Sequence, residues 1–258
     1  MFNNPLKDRG ALLFVFLVSF MAVDAIIAEF TGTKIFSLEK TLGIDPIYFN
    51  LWGMKLSLDL TAGVVFWPLV FVITDLINEY FGRRGVRIAS FITALLIGYS
   101  FLSVNVALNL EPSEFWMLDK LSDGTIINRE EAFHAVFKQS GWIMIGSITA
   151  FLIGQLLDAL SFYWIRTKTG DRMLWLRATG STAISQLIDS FVVIYIAFGI
   201  GADWSMAHVI AVTTLNYIYK LVAAIAVMPL IYIAHWIIEL YLGRNLACRL
   251  KTTALRMS

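Results

Sequence analysis

The chain has 258 residues, 58% of them hydrophobic and only 15% charged, with a mean hydropathy of +0.72, a profile that a water-soluble globular domain does not have. The formal net charge is +1 and there is no basic block, so nothing points to a nucleic-acid partner. Cys248 is the only cysteine, which excludes an internal disulfide and any thiolate metal site.

Windows of about 19–20 residues predict six membrane spans in one domain covering residues 1–258, at about 11–30, 60–81, 86–108, 141–164, 178–200 and 208–236. Basic residues ahead of the first apolar run resemble a signal peptide, but the run continues to Phe30 with Asp24 and Glu29 inside it and no small-x-small cleavage site follows. It is therefore expected to be the first membrane helix. The residues between the first two spans suggest a short hairpin or re-entrant segment. In the third loop, Asn128 ahead of Glu130 and Glu131 predicts the start of a short helix.

Basic residues alternate between the connecting segments. Lys7 and Arg9 precede the first span; Arg83, Arg84 and Arg87 follow the second; Arg166, Lys168, Arg172 and Arg177 follow the fourth; Arg244, Arg249, Lys251 and Arg256 mark the tail. The third loop carries Glu111, Glu114, Asp119, Asp123, Glu130 and Glu131 instead. By the positive-inside rule both termini are expected in the cytoplasm.

The second span contains Asp75, Asn78 and Glu79 within one arc of about a third of the helix circumference. A charge near the middle of a membrane helix costs roughly 2.5–3.5 kcal/mol on insertion scales, so such residues face a bundle interior or a water-filled path. Glu79 and Glu29 fall near span ends, where water is also within reach. In the fourth span, Gly146, Ala150 and Gly154 recur every four residues, the pattern that lets membrane helices approach closely, and Asp158 continues the stripe. The segment Ile153-Gly-Gln-Leu-Leu-Asp158 is echoed in the fifth span by Ile184-Ser-Gln-Leu-Ile-Asp189, a hint of inverted pseudo-symmetry. The sixth span carries Asn216 and Lys220 on one face, followed by Pro229, which is expected to kink it.

Asp189 and Lys220 fall near the bilayer centre, with Asp75, Gln155 and Asp158 several residues toward the cytoplasm, so one polar cavity is expected to hold them all. Asp189 and Lys220 are also a plausible neutralising pair. Three deep carboxylates against one lysine leave positive charge wanting, which a substrate supplies if it presents hydrogen-bond donors. A guanine-like edge presents adjacent N–H groups that a carboxylate accepts, with a glutamine such as Gln155 or Gln186 meeting the remaining positions. The alternatives are interhelical hydrogen bonding for the amides and hydroxyls, or a membrane-embedded enzyme. Against the enzyme stand the absence of an H-E-x-x-H zinc motif, a G-x-S-x-G elbow and a P-loop. No metal and no cofactor is expected.

The run FWPLVFVITDLINEYFGRR (66–84), GQLLD (154–158), STAISQLIDSFVVIYIAF (181–198) and NYIYK (216–220) followed by Pro229 resemble the queuosine precursor transporter family, also described as a vitamin uptake transporter family. The resemblance implies an all-α, multi-pass importer of the bacterial inner membrane that takes up the 7-deazaguanine bases preQ0, preQ1 or both; the alternative within transport is a carrier for another small heterocycle or vitamin. It also implies a bundle similar in size to the substrate-binding subunits of energy-coupling-factor vitamin transporters. Those subunits often carry an Ala-x-x-x-Ala contact, whereas Ala22, Ala25 and Ala28 here are spaced by three, so a carrier without an ATPase partner is expected. Asp75, Asn78, Glu79, Gln155, Asp158, Gln186, Asp189, Asn216 and Lys220 are the expected substrate-binding residues. The first loop is longer than the family pattern, and Asp24 stands where an uncharged polar residue is expected.

Overall fold

The structure, a computed structural model, describes residues 8–45, 48–51, 54–56, 59–120, 124, 126–138, 141–169 and 173–256. Lys7, Asp123 and Arg172, used above for the charge pattern, lie outside these residues.

Helix α1 (Arg9–Thr31) begins where the Asp8 carboxylate accepts from the backbone N–H groups of Gly10 at 2.8 Å and Ala11 at 3.3 Å, two amides that the helix itself leaves without partners. The first connection is a nest of short elements: β1 (Ile35–Ser37), α2 (Leu38–Leu42), β2 (Phe49–Leu51), β3 (Met54–Leu56) and β4 (Asp59–Thr61). Strands β1 and β4 pair antiparallel, with Ile35 opposite Thr61, and enclose the hairpin of β2 and β3. A 3-10 turn (Ala62–Val65) then leads into α3 (Trp67–Leu108). Residues 60–66, expected to open the second span, belong instead to β4 and this turn, because Pro68 suits the first turn of a helix.

Straight, the 42 residues of α3 would reach about 63 Å at 1.5 Å per residue, twice a hydrocarbon core of about 30 Å. They do not run straight. Gly82 has φ 67° and ψ −174°, a region open in practice only to glycine, and the chain doubles back there. Gly63 sits against the Ala28 carbonyl near the end of α1. Phe81 packs on Phe14 near its start, with ring centroids 4.9 Å apart, and Phe101 returns to Phe30 at 5.5 Å. Residues 67–81 therefore descend along α1 and residues 83–108 climb back, and the expected second loop contracts to a single residue.

Then come α4 (Glu114–Met117), β5 (Leu118–Lys120), β6 (Ile126–Asn128) and α5 (Arg129–Phe137). The Asn128 side chain accepts from the N–H groups of Glu130 at 3.0 Å and Glu131 at 3.3 Å, capping α5 as the sequence predicts. Three long helices complete the bundle: α6 (Gly141–Thr169), α7 (Leu174–Ile194), extended by a π-helical turn (Tyr195–Ile200), and α8 (Met206–Leu242). A Cβ on Gly146 would lie 3.2 Å from the Val193 carbonyl oxygen, and one on Gly154 would lie 3.3 Å from Asp189 Cβ. The four-residue stripe of small residues is thus the seam along which α6 meets α7.

Helix α8 passes Pro229 without ending. The tail forms α9 (Arg244–Arg256), which packs Ala247, Leu250 and Ala254 inward and leaves Cys248 and Arg249 exposed. Among the described residues, five helices are long and apolar enough to cross a membrane, and the one containing Gly82 is folded in two. Phe16, Phe91, Leu102, Trp236 and Leu240 point outward, the apolar exterior that a lipid solvent favours and water does not. Ala22, Ala25 and Ala28 face the interior. Arg9 donates to the Tyr241 carbonyl at 3.1 Å and Lys251 lies over the Tyr80 ring, so α9, the Gly82 turn and the start of α1 share one basic end.

Candidate functional site

The polar side chains gather between the 67–81 arm of α3, α6 and α7. At the basic end, Glu79 is the centre of an ion cluster. One carboxylate oxygen lies 3.2 Å from Arg166 and the other 3.2 Å from Arg177. Arg166 also donates to the Glu79 carbonyl at 3.1 Å. The three side chains are 2%, 3% and 2% exposed in the order Glu79, Arg166, Arg177. Buried ions hold only when paired and hydrogen-bonded, so α3, α6 and α7 are clamped here. Glu79, for which the sequence left contact with water open, is covered by these neighbours, and Arg166 and Arg177, which marked orientation, are interior groups.

One turn deeper lie Asp75, Gln155, Asp158 and Gln186, all buried. Thr74 donates to Gln155 Oε1 at 2.7 Å, and Asn78 donates to the Ala159 carbonyl at 3.2 Å. Ser185 donates to Asp158 Oδ1 at 3.2 Å. Beyond these bonds much is unmet among the described residues: Asp75 Oδ1, Asp158 Oδ2, Gln155 Nε2 and both ends of the Gln186 amide have no partner. Gln186 is only 1% exposed. Leaving one buried polar group unpaired costs about 1–3 kcal/mol, so several together are expensive to hold in the interior.

The sequence echo has a spatial counterpart. Gly154, second in its segment, faces Asp189, sixth in the other, and Ser185, second in that segment, bonds Asp158, sixth in the first. The two segments therefore pair reciprocally, as inverted repeats do.

At the middle of the bundle Lys220 donates to Asp189 at 2.5 Å, making the neutralising pair that the sequence allowed. Lys220 and Trp67 stand between two spaces. Toward the basic end is a crevice of about 20 Å³ lined by Phe71, Asp75, Thr179 and Thr182, room for about one water. Toward the other end opens a cavity of about 460 Å³, whose wall includes Glu29, Ser147, Asp189, Asn216 and Phe198, within the size range of small-molecule sites. The Asn216 amide bonds back to the Val212 carbonyl at 3.0 Å and borders this cavity. The nine expected residues thus form a continuous series of three groups and do not share one cavity.

Glu29, Trp67 and Ser147 were not among the expected site residues. Glu29, near the end of a span and with contact to water left open by the sequence, is 8% exposed and accepts a hydrogen bond from Ser147. The available signal was a carboxylate within an apolar run. For Arg166 and Arg177 it was the shortage of positive charge itself.

Fold and polar groups together define a multi-pass membrane protein with a buried polar interior and, across the Lys220–Asp189 pair from it, a cavity of small-molecule size. A family model described as "Putative vitamin uptake transporter" matches residues 61–234, and the chain belongs to that family. It is 29% identical over 241 residues to a protein of Bacillus subtilis (strain 168) named "Probable queuosine precursor transporter", covering 91% of this chain and 95% of that one. A protein of the same name from Haemophilus influenzae is 28% identical over 165 residues, 62% of each chain. No solved structure matches the chain. The protein is accordingly a membrane transporter with a small-molecule substrate, in bacteria one of the inner membrane.

Proposed function

We propose that this protein imports the queuosine precursors preQ0 and preQ1, acting as a carrier and not as an enzyme, without an ATPase subunit. The printed names of its relatives support the substrate class. The observation that carries the reading is the set of unmet buried groups on Asp75, Gln155, Asp158 and Gln186. The set holds the carboxylate that the adjacent N–H groups of a deazaguanine edge call for and the amide that suits its remaining positions.

In this proposal the base enters the 460 Å³ cavity, stacks on Trp67 and passes the Lys220–Asp189 pair to reach that set. Asn216 borders the entry, Asn78 fixes α6 through the Ala159 carbonyl, and Glu79 braces the floor. The doubled-back α3 favours six crossings, and the gathering of basic residues at one end favours cytoplasmic termini. The inward-facing Ala22, Ala25 and Ala28 favour a carrier that works alone.

The test is tRNA queuosine content in bacteria that neither make nor import the precursors, supplied with nanomolar preQ0 or preQ1, with and without this protein. Restoration is expected. Its absence, with the protein present in the membrane, overturns the substrate assignment.

A further inference from the structure

We infer that the groove between α1, the 67–81 arm of α3 and α8 binds one anionic glycerophospholipid, with an acyl chain lying in the groove and the phosphate held at Arg9. This goes beyond the transport reading and does not depend on the substrate.

The groove has a volume of about 680 Å³. Its floor is formed by Val72, Ile73 and Leu76, all buried, and its walls by side chains left exposed, Phe16 and Phe20 from α1 and Ile237 from α8. Apart from the Tyr241 hydroxyl, the side chains that line it are hydrocarbon throughout. It does not run the length of the bundle. On α1 it extends from Leu12 to Phe20 and on α8 from Leu230 to Tyr241, about 12–16 Å at 1.5 Å per residue. That is half of a hydrocarbon core of about 30 Å, the depth of one leaflet.

A cation closes the groove at the basic end. The exposed Arg9 donates to the Tyr241 carbonyl at 3.1 Å, and its guanidinium lies 5.9 Å from the centre of the Tyr241 ring. A guanidinium has five N–H donors, so most remain for a ligand. Among the described residues no carboxylate forms an ion pair with Arg9, the adjacent Asp8 being the cap of α1. Arg244, three residues beyond Tyr241, is exposed as well. A hydrocarbon trough one leaflet deep with a positive end is the complement of an amphiphile with a negative head.

The same features disfavour a protein in the groove. A partner's membrane helix needs a seat across the whole core, and this one stops at half. A second copy in the same membrane would be related by an axis along the membrane normal, which sets Arg9 of both copies at the same end of one interface, like charge facing like.

The experiment is native mass spectrometry of the purified full-length protein in detergent, titrated with phosphatidylglycerol or phosphatidylcholine of identical acyl chains, for the wild type, Arg9→Gln and Ala234→Trp. Wild type is expected to bind phosphatidylglycerol at least about fivefold more tightly, the value of about one basic residue facing an anionic lipid. Arg9→Gln should lose that margin while its phosphatidylcholine affinity stays within about twofold. Ala234 lines the groove, so the indole of Ala234→Trp should weaken both lipids. Equal wild-type affinities, an Arg9→Gln variant that keeps the preference, or an Ala234→Trp variant that binds both lipids as before each overturn the inference. A dimer mass that Ala234→Trp abolishes assigns the groove to a second copy and overturns it too. Should Ala234→Trp not fold, the wild-type comparison and Arg9→Gln decide the matter.

Discussion

Replacing Glu79 by glutamine keeps the shape of the side chain and removes its charge. Two guanidiniums, on Arg166 and Arg177, each lie 3.2 Å from a Glu79 oxygen at 2–3% exposure. Removing one partner of a buried ion pair costs about 3–5 kcal/mol, because the remaining charge stays desolvated. The Arg166 bond to the Glu79 carbonyl survives, so the lower part of that range, ~3 kcal/mol, is expected. At the scaling of folded domains of this size, this lowers the melting temperature by about 10 °C. The assay is thermal unfolding in detergent together with membrane abundance. Abundance is expected to fall, while uptake per molecule remaining stays close to wild type. A Glu79→Gln protein with normal stability and abundance but no uptake would refute the brace and make Glu79 a ligand.

Two further predictions concern the upper layers of the site. Asp158→Asn is expected to remove uptake while membrane abundance stays near normal, because Ser185 still has an oxygen to donate to; lost abundance would favour a structural role for Asp158. The Lys220–Asp189 pair, whose side chains are 14% and 15% exposed, should show a coupling between about 0.5 and 3 kcal/mol in a double-mutant cycle of Lys220→Met and Asp189→Asn on detergent stability. Additive effects would mean that the pair does not hold α7 to α8.

Class and ingredients were legible in the chain, and their grouping was not. The four-residue stripe Gly146, Ala150, Gly154 predicted a close helix contact, because small side chains at helical spacing let membrane helices approach, and the fold supplies α7 as the partner. Asp75, Asp158 and Gln186 were legible because polar groups in a membrane helix need an interior. Whether Glu29 and Glu79 meet water was left open, since position along a span indicates nearness to the membrane surface but not which neighbour covers the side chain; the fold buries both. The 3-10 turn and strand before Trp67 were hidden in the same way, their apolar residues reading as membrane span.

The amino-acid sequence by itself determined that the chain lives in a membrane and which side chains are expensive to bury, because hydropathy and helical period are local properties. Only the tertiary structure decided that α3 folds back at Gly82, that Arg166 and Arg177 neutralise Glu79, and that Lys220 separates a cavity from the unmet polar groups beneath it. Each of these depends on contacts between residues far apart in the chain, and a buried charge is satisfied by whatever the fold brings to it, which no local pattern records.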